Sequence, residues 1–271
     1  LGAVTERTRI CLLSHITSSS GIILPVEGIA GELEARGIRV IIDGAHAPGQ
    51  IELDIGALAG GSAPSCYVAN LHKWLCAPKG AAMLWIREDL RASFRPLVLS
   101  NSAELAPPPG RSKLHLEFDY AGTGDMTPWL TIPAAMETMA AMAPGGWGEI
   151  RARNHDLALR GRNIVCGALG VESPAPDSML GAMTTIVLPQ HPPQLQERLR
   201  QRPTGYHDAL QDALVGRWGI QIPVFYLPQA EPGPAPVRCL RLSAQLYNSP
   251  AQYEYLAEAL RAELEAERRL G

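Results

Sequence analysis

The sequence lacks any apolar run approaching the roughly 20 residues that span a bilayer, and its N-terminus has no charged-then-apolar signal region. Neither a membrane span nor a secretory leader is therefore expected, and a cytoplasmic protein is the resulting expectation. Cysteine is scarce and scattered: Cys11, Cys66, Cys76, Cys166 and Cys239 are odd in number and never form a close CxxC pair. This excludes a disulfide framework and a zinc ribbon and fits a reducing compartment. Charge of one sign is also missing. Against 27 Asp and Glu stand 24 Lys and Arg, for a formal net charge of -3, with no basic stripe or acidic tail. No nucleic acid and no membrane surface is expected as partner, which leaves a small molecule. The 271 residues suffice for a large domain, or a large and a small one, with a core that needs no disulfides. The chain begins with Leu1 and enters a strand pattern at Arg9, which reads as the C-terminal part of a longer protein.

What is present alternates short apolar runs with helical periodicity, as a parallel α/β sheet does. Ile10 to Ile16 reads as a buried strand. From Pro25 to Arg36, Val26, Ile29, Ala30 and Leu33 recur at helical spacing, Glu27, Glu32 and Glu34 take other faces, and Gly37 stands at the C-cap. Strands are expected at 39–42, 65–69 and 81–86, with a short helix between the first two, and an extended loop at 100–110. The second half reads as helices at 128–143 and 147–169, a strand at 184–188, helices at 193–202 and 207–216, strands at 220–226 and 237–242, and a helix at 250–269. A Pro-Gly-rich insert, 228–236, precedes the last strand.

Two places interrupt this pattern with chemistry. The strand ending at Asp43 runs into Gly44, Ala45 and His46, at the edge where a parallel sheet offers its C-terminal ends to ligands. On spacing alone Asp43 serves a structural or metal site as readily as a cofactor. The segment Asn70-Leu-His-Lys-Trp-Leu-Cys-Ala-Pro-Lys-Gly80 places Asn70, His72 and Lys73 directly after a strand. A partly desolvated lysine is available as a nucleophile toward an aldehyde, whereas an ordinary loop lysine, the reading given to Lys79, is solvated.

Taken together, Ser14-His-Ile-Thr-Ser-Ser-Ser-Gly21, Asp43-Gly-Ala-His-Ala47, Asn70-Leu-His-Lys73 with Ala77-Pro-Lys-Gly80, Ala121-Gly-Thr123 and Arg241-Leu-Ser-Ala-Gln-Leu-Tyr-Asn248 resemble the class V aminotransferases. This family of pyridoxal phosphate enzymes includes cysteine desulfurases, selenocysteine lyases and isopenicillin N epimerases. The resemblance implies an α/β fold of the aspartate aminotransferase-like type (fold type I). Residues 1–143 would form the C-terminal portion of the large mixed-sheet cofactor domain and 144–271 a small α+β domain. It also implies a preceding segment, absent from this sequence, carrying further phosphate contacts and a group stacked on the ring.

Residue by residue, the resemblance implies that Lys73 holds pyridoxal 5'-phosphate as a Schiff base and moves the proton at the substrate's Cα. Asp43 would pair with the pyridine nitrogen, making the ring an electron sink. His46 would lie near the Schiff base, with His72 beside the cofactor. Asn70 would take a phosphate position usually held by Ser. Ser18 stands where many members carry an Asn to the ring hydroxyl. Thr123 matches a residue that reaches the neighbouring subunit's phosphate, implying a homodimer. Arg241 matches the arginine for the substrate carboxylate. The residues Tyr226 to Val237 hold no cysteine, against desulfurase chemistry, and Cys239 reads as structural. The wording of the lysine segment is most similar to the isopenicillin N epimerase branch, so an amino-acid epimerase or C–S lyase is the expected activity. Two alternatives stay open: a truncated, non-catalytic homologue, and a metal-dependent hydrolase built on Asp43, His46 and His72.

Overall fold

Arg39–Asp43 (β2) carries three β-branched residues in succession, and two of them, Val40 and Ile42, are fully buried. In the computed structural model, which describes residues 1–56, 58, 63–229 and 236–270, β2 is the inner neighbour of Ile10–Ser14 (β1) in a parallel pair, Ile10 opposite Arg39 and Ser14 opposite Asp43. Val26–Ala35 (α1) joins the two strands, burying Val26, Ala30 and Leu33, and Gly37 follows in the left-handed region at φ 75°. On the other side β2 pairs in parallel with Cys66–Asn70 (β3), and β3 pairs antiparallel with Ala82–Ile86 (β4). The order is β1-β2-β3-β4, with β4 antiparallel, the mixed sheet that the resemblance implied. The reason is local: the loop 71–81 is too short for the crossover that a parallel connection needs. Leu12, Val68 and Leu84 leave an apolar, solvent-exposed face on this sheet.

Glu34, off the apolar stripe of α1, is partnered by three groups. Its Oε1 accepts from the Val40 backbone N–H (2.8 Å) and the Ser65 hydroxyl (2.6 Å), and its Oε2 from Arg87 Nη1 (2.8 Å), tying α1 to the starts of β2 and β3 and the end of β4. Further on, Lys113–Asp119 (α2) is a helix that periodicity did not announce, capped by Ser112, whose hydroxyl accepts from His115 N–H. The expected helix at 128–143 is two helices, Thr127–Leu130 (α3) and Ile132–Ala140 (α4). Pro133 separates them, since it has no N–H for the Trp129 carbonyl and its ring crowds that oxygen. The short helix expected between Asp43 and Ser65 does not form over residues 44–56, which are turns and isolated bridges; residues 57 and 59–62, and most of the Pro-Gly-rich insert, lie outside the described residues.

The chain clusters into two units. The first contains Leu1–His15 and Pro25–Ala141, the second Ile16–Leu24 and Met142–Gly271. In the second, Met183–Val187 (β5), Val224–Leu227 (β6) and Val237–Ser243 (β7) form an antiparallel sheet of order β5-β7-β6. β6 starts later than the sequence indicates because Pro223 cannot donate to the ladder; its carbonyl accepts from Arg241 N–H instead. Gly146–Leu169 (α5) packs along Pro250–Arg268 (α8), and Ala158, Val165, Leu256 and Leu260 close with Ile186, Leu240 and Leu242 into the unit's core. A capping box fixes the start of α8, with Ser249 and Gln252 exchanging side-chain and backbone bonds. Pro193–Arg200 (α6) and Ala209–Trp218 (α7) complete the unit.

A buried charge cluster holds this unit's far end. Arg238, 6% exposed, donates from Nε to Asp208 Oδ2 (2.8 Å), and from Nη1 and Nη2 to the two oxygens of Glu267 (2.7 and 2.9 Å). The Tyr226 hydroxyl donates to Asp208 (2.7 Å), and His191 Nε2 lies 3.1 Å from Glu267. Burial works against the Arg238 charge, and the two carboxylates more than offset it, leaving its pKa above the ordinary value. Asp208 also caps α7, accepting from Leu210 N–H.

Candidate active site

Asp43, Gly44 and His46 leave β2 at the edge where β3 releases Asn70, His72 and Lys73. The turn after β2 is held by backbone bonds: His15 N–H to the Asp43 carbonyl (2.8 Å), Gly44 N–H to the Val68 carbonyl (2.7 Å) and Ala47 N–H to the Gly44 carbonyl (2.9 Å). The exposed Asp43 carboxylate accepts from Ala45 N–H at 2.9 Å. Beneath this turn lies the fully buried Tyr67, whose hydroxyl meets His15 Nδ1 at 2.8 Å. Burial, then the nearby Asp43 charge, push the Tyr67 phenol above its usual range, and burial pushes His15 down. Both groups therefore stay neutral as a hydrogen-bonded support.

Gly44 rests against that support, and a Cβ built on it would overlap the Tyr67 ring. Tyr67 is 0% exposed and has no space into which to turn. Gly44→Ala is accordingly expected to destabilise the protein by about 1–3 kcal/mol, the usual cost of overpacking a filled core. Chemical denaturation would read it, and an unchanged midpoint would show that the ring yields freely.

The loop after β3 is stitched to the sheet by Leu71 N–H to the Ala81 carbonyl (3.0 Å) and Ala77 N–H to the Leu71 carbonyl (2.9 Å). Half-buried His72 also reaches Ala81, its Nδ1 lying 3.1 Å from the carbonyl oxygen. Because a carbonyl only accepts, His72 carries its proton on Nδ1 in this bond. Between these anchors Lys73 is exposed and not in a partly desolvated pocket. Its Nζ lies 3.4 Å from His46 Nε2, and Trp74 Nε1 lies 3.4 Å from His46 Nδ1. The two loops meet because Gly49, at φ 84°, has no Cβ; one there would stand 2.5 Å from the Trp74 backbone carbonyl carbon.

Of the residues singled out in the sequence, the first unit thus brings Lys73 to His46 and carries both from strand ends beside Asp43. Half-buried Asn70 occupies the last position of β3, in register with Ala82. Thr123 sits on an exposed bend between α2 and α3, without a hydrogen bond to the others among the described residues. The second unit joins Ser18 and Arg241: Arg241 Nη1 donates to the Ser18 carbonyl at 2.6 Å. Arg241 Nε is buried without a hydrogen-bond partner among the described residues, and desolvation holds the guanidinium below its usual pKa. The residue borders a cavity of about 420 Å³ with Asn248, Gln252 and Tyr253. Trp74 was quoted in the sequence but given no role; its one signal there is adjacency to the lysine.

Among the described residues no group of three or more His, Cys, Asp or Glu is arranged to hold a metal ion, so Asp43, His46 and His72 do not form one. No helix among them is long and apolar enough to cross a membrane. The donor set is instead an amine, an imidazole and a carboxylate on adjacent strand ends. It suits a group that carries an aldehyde for the amine and a ring nitrogen for the carboxylate.

Comparison with known proteins agrees with that donor set. The chain is 33% identical over 270 residues to an isopenicillin N epimerase from Amycolatopsis lactamdurans, covering 96% of this chain and 61% of that protein. It is 31% identical to an isopenicillin N epimerase from Streptomyces clavuligerus, covering 97% and 62%. An L-cysteine desulfhydrase from Arabidopsis thaliana is 27% identical, covering 96% and 55%. The chain therefore spans a little over half to three-fifths of these relatives' lengths. The fold matches the cysteine desulfurase CsdA from Escherichia coli with a TM-score of 0.67 at 18% identity, covering 98% of this chain and 61% of that one. A cystine C–S lyase matches with 0.64, also at 18%, covering 96% and 62%. The aminotransferase class-V family model matches residues 1–195. This chain belongs to the class V aminotransferase family, whose members depend on pyridoxal 5'-phosphate.

Proposed function

We propose that this chain is the cofactor-lysine portion of a pyridoxal phosphate enzyme acting on an amino acid, as an epimerase or a C–S lyase. The observation that carries this is the Lys73 amine 3.4 Å from His46 Nε2, on strand ends next to the open Asp43 carboxylate. Lys73 holds the cofactor and, when displaced from it, takes and returns the proton at the substrate's Cα. Asp43 faces the ring nitrogen, and His46 orients the Lys73 amine. When bound, pyridoxal phosphate supplies an electron sink that stabilises negative charge at Cα. Asn70, His72, Ser18 and Thr123 are assigned to the cofactor's surroundings, with Thr123 reaching a second copy of the chain in a cytoplasmic homodimer. Arg241, with Nε unpartnered among the described residues, takes the substrate carboxylate, which its planar fork suits. The relatives named for epimerisation and for desulfhydration support the two reaction types equally at this level.

A second reading rests on the exposure of Lys73: a homologue that keeps the fold without binding the cofactor productively. Borohydride reduction with added pyridoxal phosphate, followed by mass spectrometry of the Lys73 peptide, decides between them. A reduced phosphopyridoxyl adduct on Lys73 is expected. Its absence would sink the first reading and leave the second.

A further inference from the structure

We propose that Trp74 is a positioning residue: its indole N–H holds His46 in the neutral tautomer protonated on Nε2, so that this N–H is presented to the Lys73 amine. Indole nitrogen donates and never accepts, so the 3.4 Å contact from Trp74 Nε1 requires a lone pair on His46 Nδ1. A neutral imidazole with Nδ1 bare carries its proton on Nε2, the atom 3.4 Å from Lys73 Nζ. Once uncharged, as proton transfer at Cα requires, the Lys73 amine offers its lone pair to this Nε2–H; as an ammonium it would donate to Nε2 and compete with the indole for the tautomer. An imidazolium carries a hydrogen on both nitrogens and would set Nδ1–H against the indole N–H, so the same contact opposes protonation of His46.

The contact is built into the fold. His46 is buried, 8% exposed, and its carbonyl accepts from Gln50 Nε2 at 2.8 Å. Trp74 is held by the close approach of Gly49 to its backbone. Two positions upstream in the same loop, His72 has the opposite arrangement, with Nδ1–H directed to the Ala81 carbonyl. Two histidines within one loop cluster thus take opposite tautomers because one meets a donor and the other an acceptor.

The tautomer does not need the cofactor, but its consequence for catalysis rests on the reading of Lys73 above. The test is a long-range proton–nitrogen correlation spectrum of the cofactor-free protein with imidazole-labelled histidine, assigned with His46→Gln and His72→Gln. Expected are an Nε2–H form for His46 and an Nδ1–H form for His72, with Trp74→Phe shifting His46 to comparable populations of both forms. An Nδ1–H or cationic His46 in the wild type overturns the proposal, and so does a His46 unchanged in a folded Trp74→Phe. If Trp74→Phe fails to fold, the wild-type spectrum alone still decides. A correct tautomer without a Lys73 adduct refutes the functional reading and leaves this one. An adduct with the wrong tautomer does the reverse.

Discussion

Under the proposed function, Lys73→Ala is expected to lower the exchange of the Cα hydrogen of the amino-acid substrate in deuterated water, probed with L-cysteine, by about 10²–10⁴-fold, the range typical of a lost proton-transfer group. Loss of the covalent anchor would place the effect at the upper end. The same substitution at Lys79, an exposed lysine in the same loop, is expected to leave the exchange within twofold of wild type. Added methylamine should restore part of the Lys73→Ala activity, since a small amine can replace the missing proton carrier but not its position. Nuclear magnetic resonance of the substrate reads wild type and both variants and does not presuppose epimerisation or elimination. Equal exchange in wild type and Lys73→Ala would remove the lysine from the mechanism.

Arg238→Met is expected to cost about 3–5 kcal/mol of stability, because the guanidinium is the shared partner of two buried carboxylates. Asp208 and Glu267 are 4% exposed each and would be left facing one another without a cation between them. The loss would reach past the charges, since Asp208 caps α7 and Glu267 lies in the last turn of α8. Adding Glu267→Gln to Arg238→Met should recover part of the loss by removing one of the stranded charges, a non-additivity expected for groups in one network. Denaturant titration checks both variants. An Arg238→Met midpoint equal to wild type would mean that water reaches the cluster.

The elements nearest the chemistry are the ones most legible in the sequence. Val40 and Ile42, Val26 with Ala30 and Leu33, and the polar break at 70–73 encode their strand, helix and loop through short-range periodicity, and the structure keeps each within one or two residues. Errors arise where one residue overrules a periodic pattern. Pro133 splits a helix that composition favours, and Pro223 shortens a strand. The partners of Glu34 are not legible in the helical pattern, since Arg87 lies 53 positions away. Lys73 follows a buried strand and is nonetheless exposed, because a loop tip can be exposed while its anchors are buried.

By itself the sequence determined the alternation of strands and helices, the order of the chemical groups along it, and a resemblance specific enough to name a family. Only the tertiary structure decided that β4 runs antiparallel, that Arg238 binds two carboxylates at once, and that Trp74 and Lys73 approach opposite nitrogens of one imidazole. The physical reason is range. Backbone preference and amphipathic spacing act over a few residues, whereas hydrogen bonds between side chains 27 and 28 positions apart exist only once the folded sheet sets two strand ends side by side.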